Sequence, residues 1–173
     1  MKNKIDHMKK ITCVIILAFI GMQLIAQSFE VPKNVNLVKA EDYKQYEEAI
    51  VKGTDWLLNT PINSEQAKRK EVNAFLMKWM TGSPDVSLEM NADVLTFMEC
   101  PDCLMMFLAG WTKLAIQSDT KVSNVEGSIQ GVKDVIALYQ KNKAYIGKNK
   151  AIEKYIKLDN KGKLETYLAS KLK

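Results

Sequence analysis

Apolar residues recur at helical spacing in several stretches of this chain. The clearest stretch ends at Thr81-Gly82-Ser83-Pro84, and its apolar positions fall on one face of a helix: Val72, Phe75, Leu76, Trp79 and Met80. Asn63 or Ser64 is the predicted N-cap of this helix. Gly82 accepts a left-handed cap and Pro84 cannot continue a helix, so the helix is predicted to end there.

The preceding stretch predicts one helix from Ala40 to Asn59 that tolerates Gly53 in its middle, with apolar positions at Tyr43, Tyr46, Ile50 and Leu57. The stretch that follows Pro84 is less regular. Residues 86–90 alternate as a strand would, but no convincing partner strand is evident and a lone strand is unstable. Residues 92–98 predict a short helix.

Residues 103–117 are apolar nearly all round the predicted helix. The apolar residues are Leu104, Met105, Met106, Phe107, Leu108, Ala109, Trp111, Leu114, Ala115 and Ile116. A helix of this kind is surrounded by other helices, and this one is too short to cross a bilayer. We therefore predict that it is the buried central helix of the fold.

Ser123 and Glu126 have the spacing of a capping box, which predicts the start of a long helix that ends at Gly147. Gly127 and Gly131 lie one turn apart in it, so a neighbouring backbone could approach closely there. Two short helices follow, separated by a turn at residues 159–162. Six to seven short helices predict an all-α protein, a compact bundle or array in a single domain over residues 40–173, preceded by an extended lead-in over residues 27–39.

The first 26 residues have the three parts of a secretory signal peptide. Residues 1–10 carry four lysines against one acid, residues 11–25 are almost wholly apolar, and Ala26 is a small residue suited to cleavage. The apolar run is shorter than the roughly 20 residues of a membrane span, although an uncleaved anchor helix is the alternative. Cys13 lies near the start of the run, which argues against lipidation. We predict cleavage after Ala26 and a periplasmic or secreted protein.

Cleavage would reduce the range of catalytic mechanisms open to the chain, because it removes His7, the only histidine. Without an imidazole there is no Ser-His-Asp triad, no Cys-His pair and no histidine general base. Two cysteines and no histidine are also too few for an ordinary zinc site. The sequence therefore predicts no catalytic residue, metal or cofactor.

Cys100-Pro101-Asp102-Cys103 is the one motif with reactive side chains. In an exported protein two nearby thiols usually pair, and Cys100 could cap the central helix, where a thiol ionises more readily. Glu99 stands where thioredoxin-like proteins usually have Trp, no strand–helix–strand alternation surrounds the motif, and no proline follows Pro101. A local structural disulfide is therefore favoured, and a redox pair is the alternative.

Charge is unevenly distributed along the chain. Residues 27–132 hold 10 basic and 15 acidic side chains, whereas residues 133–173 hold 11 and 4. Lys150, Lys154, Lys157 and Lys161 follow helical spacing and are candidates for contact with an anionic surface. A solvated lysine face, partly balanced by the acidic first part, is the simpler alternative. No nucleic-acid partner is expected, because this section lacks the arginines that such proteins normally use.

Three segments carry a resemblance to other proteins: Phe75-Leu76-Met77-Lys78-Trp79-Met80-Thr81-Gly82-Ser83-Pro84, Phe107-Leu108-Ala109-Gly110-Trp111-Thr112 and Tyr139-Gln140-Lys141-Asn142. Together with a leader that ends in Ala26-Gln27, they resemble small exported helical proteins of Bacteroidota, a family of unknown function. The resemblance would cover most of the mature chain. It implies an all-helical fold and export, and it brings no activity with it.

These observations favour an exported, non-catalytic protein that binds an as yet unidentified protein or small ligand. The reason is that the sequence lacks a recognisable set of catalytic residues, although its apolar positions are regularly spaced for a helical core. The alternatives are a thiol–disulfide redox protein that uses Cys100 and Cys103, and a binder of anionic surfaces that uses Lys150, Lys154, Lys157 and Lys161.

Overall fold

The computed structural model describes residues 29–172 and contains seven α-helices and no strand in that range. The helices are α1 (Ala40–Lys44), α2 (Glu47–Asn59), α3 (Gln66–Gly82), α4 (Pro101–Gln117), α5 (Asn124–Ile146), α6 (Lys150–Asp159) and α7 (Leu164–Lys171). The predicted all-α fold of six to seven short helices is confirmed. The predicted leader, residues 1–26, lies outside the described residues.

Helix α4 is the centre of the packing, as its apolar composition predicts. It packs most extensively against α5, then against α2, and touches α3. Its buried residues lie on all sides of the helix: Cys103, Met105, Met106, Phe107, Ala109, Gly110, Trp111 and Thr112. The core continues through an aromatic chain in which Phe107 contacts Trp111 and Phe97, and Phe97 contacts Tyr155 of α6.

The contact between α4 and α5 depends on small residues. A Cβ on Gly131 would lie 2.8 Å from the backbone oxygen of Phe107, and a Cβ on Gly127 would overlap the indole ring of Trp111. On the other side of the contact, a Cβ on Gly110 would overlap the Asp134 carboxylate. The close approach predicted from the spacing of Gly127 and Gly131 is therefore present.

The prediction of a single helix over residues 40–59 is wrong, because the helix is interrupted between α1 and α2. In a continuous helix the Tyr43 carbonyl would accept a hydrogen bond from the amide four residues later. Here it accepts the indole N–H of Trp79 at 2.9 Å and the amide of Tyr46 at 3.0 Å. The ring of Tyr46 packs edge-on against Phe75 of α3. Tyr43 and Tyr46 therefore both contact α3, the first through its carbonyl and the second through its ring.

The region before α4 contains neither the short helix predicted over residues 92–98 nor a strand over residues 86–90; it forms turns and irregular structure. The Val94 carbonyl accepts the Tyr155 hydroxyl at 2.7 Å and the Thr96 amide at 2.9 Å, which competes with helical bonding. The predicted N-cap of α3 is also wrong. The helix starts after Glu65, whose backbone is left-handed with φ of 45°, rather than at Asn63 or Ser64.

Other predicted boundaries are confirmed. Ser123 and Glu126 form the reciprocal capping box at the start of α5. Gly147 ends α5 with φ of 78°, a backbone conformation that favours glycine. Within α5, Asn142 departs from helical geometry, because its side-chain oxygen accepts the Ile62 amide at 2.9 Å.

Residues 29–39 precede α1 and contain no helix. Phe29 is nevertheless buried, with its ring against Gly53 of α2, and the Val35 carbonyl accepts a hydrogen bond from Lys78 at 2.6 Å. None of the helices in the described part of the chain combines the length and apolarity needed to cross a membrane.

We expect Gly127→Ala and Gly131→Ala each to destabilise the fold by about 1–3 kcal/mol, because the added methyl group forces α4 and α5 apart. Urea unfolding followed by circular dichroism measures the change. Gly53→Ala is the matched control: its Cβ would meet the edge of the Phe29 ring at 3.2 Å and a Leu76 methyl group at 3.5 Å, without overlap, so a shift within about 1 kcal/mol is expected. Alanine at 127 and 131 with no greater effect than at 53 would contradict this account.

Candidate functional site

The two cysteines lie at the start of α4 and are joined by a disulfide, with their Cα atoms 5.2 Å apart. Cys100 is the N-cap residue, and its sulfur accepts the Cys103 amide at 3.3 Å. Pro101 follows at the first helical position, where its missing N–H leaves no hydrogen bond unmade. Cys103 is fully buried, whereas Cys100 keeps 9% of its surface exposed.

A surface cleft of about 560 Å³ opens beside Cys100, and we call it the disulfide cleft. The start of α4, the end of α5 and the start of α6 supply its walls: Glu99, Cys100, Pro101, Asp102, Tyr145, Ile146, Lys148, Asn149, Lys150 and Ala151. Tyr145 is unusual for an aromatic residue, because 56% of its surface is exposed. The disulfide cleft therefore combines a disulfide, an exposed ring and both signs of charge.

A second cleft of about 350 Å³ adjoins the first, and we call it the lysine cleft. It is lined by Lys148, Lys150, Glu153, Lys154 and Lys157, so the two clefts share Lys148 and Lys150. Of the four predicted lysines, Lys150 thus shares a cleft with Cys100, and Lys154 and Lys157 line the adjoining cleft. Lys161 is placed differently: it lies beyond the end of α6, exposed in the turn before α7, and lines neither cleft.

The corner between the two clefts is fixed by polar contacts that the sequence did not reveal. The Asn149 side chain caps α6 by accepting the amides of Ala151 and Ile152, each at 3.1 Å. The Asn149 amide in turn donates to the hydroxyl of Tyr139, a buried residue of α5, at 3.1 Å. These bonds hold the backbone between Lys148 and Lys150 in place.

Two of the carboxylates that line the clefts are engaged by other cations. Glu153 pairs with Lys143 at 2.9 Å, and that hydrogen bond lowers the pKa of the Glu153 carboxyl. Asp102 lies 3.7 Å from the guanidinium of Arg69. Only Glu99 lines a cleft without an ion pair in the described part of the chain. The four lysines of the clefts likewise have no carboxylate within 4 Å among residues 29–172, so positive charge dominates there.

Arg69, the only arginine of the chain, is a residue beside the clefts that the sequence pattern did not single out. It belongs to the polar side of α3 by pattern, yet only 6% of its surface is exposed. Its guanidinium donates to the Thr60 carbonyl at 2.6 Å and stacks on Trp56 at 5.6 Å. Burial lowers its pKa from the ordinary arginine value, and Asp102 opposes that shift. One feature of the sequence could have pointed to this burial: Arg69 is the only arginine among many lysines, and a planar guanidinium suits burial better than an ammonium group.

A second charged group lies away from the clefts, where α2, α4 and α5 meet. Lys113 forms an ion pair with Asp55, and Gln130 donates to Asp134 at 3.1 Å. Burial raises the pKa of the Asp134 carboxyl, although the Gln130 hydrogen bond and Lys113 oppose the shift. Neither the disulfide cleft nor the lysine cleft is lined by these residues. We interpret it as a polar contact between helices.

No cluster of three or more His, Cys, Asp or Glu side chains that could hold a metal ion occurs within residues 29–172. Comparisons with known protein families, characterised proteins and solved structures find no match to this chain. The resemblance to exported Bacteroidota proteins therefore stays a prediction.

We expect Asp102→Asn to destabilise the protein by about 1–2 kcal/mol, because the buried Arg69 loses its counter-charge. Partial exposure of Asp102 keeps the effect below that of a fully buried pair. Glu99→Gln is the control in the same cleft, and it should change the free energy of unfolding by no more than about 0.5 kcal/mol. Equal effects of the two substitutions in urea unfolding would contradict the assigned role of Asp102.

Proposed function

We propose that this protein is an exported, non-catalytic binding protein, and that the two adjoining clefts are its binding surface. The proposal of export depends on the leader-like residues 1–26 and agrees with the Cys100–Cys103 disulfide, a bond typical of oxidising compartments. The proposal of binding depends on the clefts, which combine an exposed tyrosine with exposed lysines along α6 and in the loop before it.

The observation that carries the binding proposal is the unneutralised charge of the clefts. Lys148, Lys150, Lys154 and Lys157 face them with no carboxylate within 4 Å among the described residues. Every ion pair in the described structure joins two residues of the acidic part (27–132) or two of the basic part (133–173). The acidic part therefore does not neutralise the lysine face by direct pairing.

The ligand that fits this surface best is an anionic lipid headgroup at a membrane surface. Clusters of four or more lysines on an amphipathic helix bind anionic lipids, with about 1 kcal/mol from each lysine near the surface. The exposed ring of Tyr145 suits the interface between water and lipid, where aromatic residues with a polar end concentrate. Lysines without arginines are poorly suited to reading bases, which favours lipid over nucleic acid.

We expect binding to phosphatidylcholine vesicles that contain phosphatidylglycerol, weaker binding as salt increases, and none to pure phosphatidylcholine. The double variant Lys150→Gln/Lys157→Gln should bind at least about tenfold more weakly, because two lysines leave the surface. Neither side chain forms an ion pair in the described structure, so folding should be retained. Vesicle co-sedimentation measures both effects.

The matched control is Lys44→Gln/Lys70→Gln, which removes the same net charge from α1 and α3, again from side chains without an ion pair in the described structure. It should leave vesicle binding nearly unchanged, since neither lysine lines a cleft. An equal loss in the two double variants would show that only net charge matters and would overturn the assignment of the clefts. Tight binding to duplex DNA without binding to vesicles would overturn the choice of lipid.

The export proposal has its own test. Protein purified from its native source should begin at Gln27 or within a few residues of it, as N-terminal sequencing and intact mass measure. Leu17→Arg, which interrupts the apolar run, should leave the leader attached and the protein in the cytoplasm. Native protein that still contains His7 would contradict export by a cleaved signal.

A further inference from the structure

The two cysteines of the disulfide differ in their exposure to solvent. Cys100 lines the disulfide cleft and keeps 9% of its surface exposed, whereas Cys103, one turn into α4, has no exposed surface and does not line the cleft. A molecule in the cleft therefore lies against the Cys100 end of the bond. This asymmetry matters because thiol–disulfide exchange requires a thiolate to approach one sulfur while the other leaves.

The surroundings of Cys100 favour its ionised form once the bond is opened. The Cys103 amide already points at the Cys100 sulfur, at 3.3 Å, and would donate to a thiolate there. Helix α4 is 17 residues long, and its N-terminus adds the positive end of its dipole. Lys148 and Lys150 face the same cleft and outnumber Glu99, the one carboxylate of its walls without an ion pair in the described part of the chain. A thiolate is both the attacking and the leaving species in exchange, so these groups favour reaction at Cys100.

The bond contributes comparatively little to holding the fold together. It closes a loop of only four residues, and the entropic stabilisation from a disulfide grows with the length of the loop that it closes. Both cysteines also lie at the start of one helix, so the bond links no distant elements. The fold can therefore tolerate a cycle of opening and closing.

We propose that the Cys100–Cys103 disulfide oxidises a dithiol in a protein partner. A partner thiolate attacks the Cys100 sulfur, which forms a mixed disulfide and releases Cys103 as a thiolate. The second partner thiol, deprotonated to solvent, then attacks the partner's own sulfur in that mixed disulfide and releases Cys100. The partner gains one disulfide and loses two electrons and two protons, and this chain takes up the electrons as a dithiol. This exchange would be a second activity beside the non-catalytic binding proposed above, and it does not depend on lipid binding.

The experiment uses single-cysteine variants of the mature chain and oxidised glutathione as the probe. Cys103→Ser leaves Cys100 free, and we expect the folded variant to form a mixed disulfide with glutathione at least about tenfold faster than Cys100→Ser, whose remaining thiol is buried. In guanidinium chloride the two rates should converge. Intact-mass analysis over time measures the rates, and circular dichroism verifies folding. Equal rates in the folded variants would overturn the proposal.

The wild-type disulfide provides a second measurement that does not depend on the variants' folding. Under native conditions, mixtures of reduced and oxidised glutathione should reduce the bond reversibly, with the helical circular dichroism signal retained. If reduced glutathione reduces the bond only when the protein unfolds, the bond is a structural disulfide and the proposal is wrong.

Discussion

The close contact between α4 and α5 is the constraint on which the rest of the structure depends. Gly110, Gly127 and Gly131 remove side chains at the places where the two helices touch, and the rings of Phe107 and Trp111 fill the space beside α5. Because the Gly131 backbone approaches that of Phe107 and the Trp111 ring lies against Gly127, the two helices pack closely at their crossing. The start of α4 and the end of α5 are therefore held near one another, and the disulfide cleft is the space between them.

The helices that follow α5 are placed by specific polar bonds rather than by apolar burial alone. Asn142 bends α5 where it accepts the Ile62 amide, and Tyr139 anchors Asn149, which caps α6. Each bond satisfies a buried or half-buried polar group, which is costly to leave unpaired. Together they set the direction in which α6 leaves α5, and so bring Lys150 into the cleft that Cys100 lines.

Local patterns predicted those parts of the fold that local interactions determine. The capping box at Ser123, the stop at Gly147 and the apolar central helix could all be predicted from neighbouring residues. The break after Lys44 and the turns at residues 91–99 could not, because their carbonyls bond to side chains far along the chain, Trp79 and Tyr155. The spacing of apolar residues within one segment carries no information about a hydrogen bond between residues 36 or 61 positions apart.

The same distinction applies to the candidate site. The cysteine pair and three of the lysines were visible as separate motifs, but their adjacency depends on the α4–α5 crossing and the turn into α6. The burial of Arg69 was hidden because its partners, Thr60, Trp56 and Asp102, lie on three different segments. By occupying Asp102, Arg69 also changes the charge of the cleft in a way that no count of residues reveals.

The ion pairs show whether the acidic part of the chain (27–132) neutralises the lysines of the basic part (133–173). A net charge near neutrality could hide a lysine face that is cancelled by acids folded against it. Here the ion pairs of the described residues stay within each part, and Glu153 and Glu165 are taken by Lys143 and Lys133. Acids beyond about 8 Å of the lysines are largely screened at physiological ionic strength. A ligand at the clefts therefore experiences mainly their four lysines, against Glu99 as the one unpaired carboxylate of the walls in the described structure, rather than the charge of the whole protein. Residues 27–173, with 21 basic and 19 acidic side chains, can for this reason still present a cationic surface.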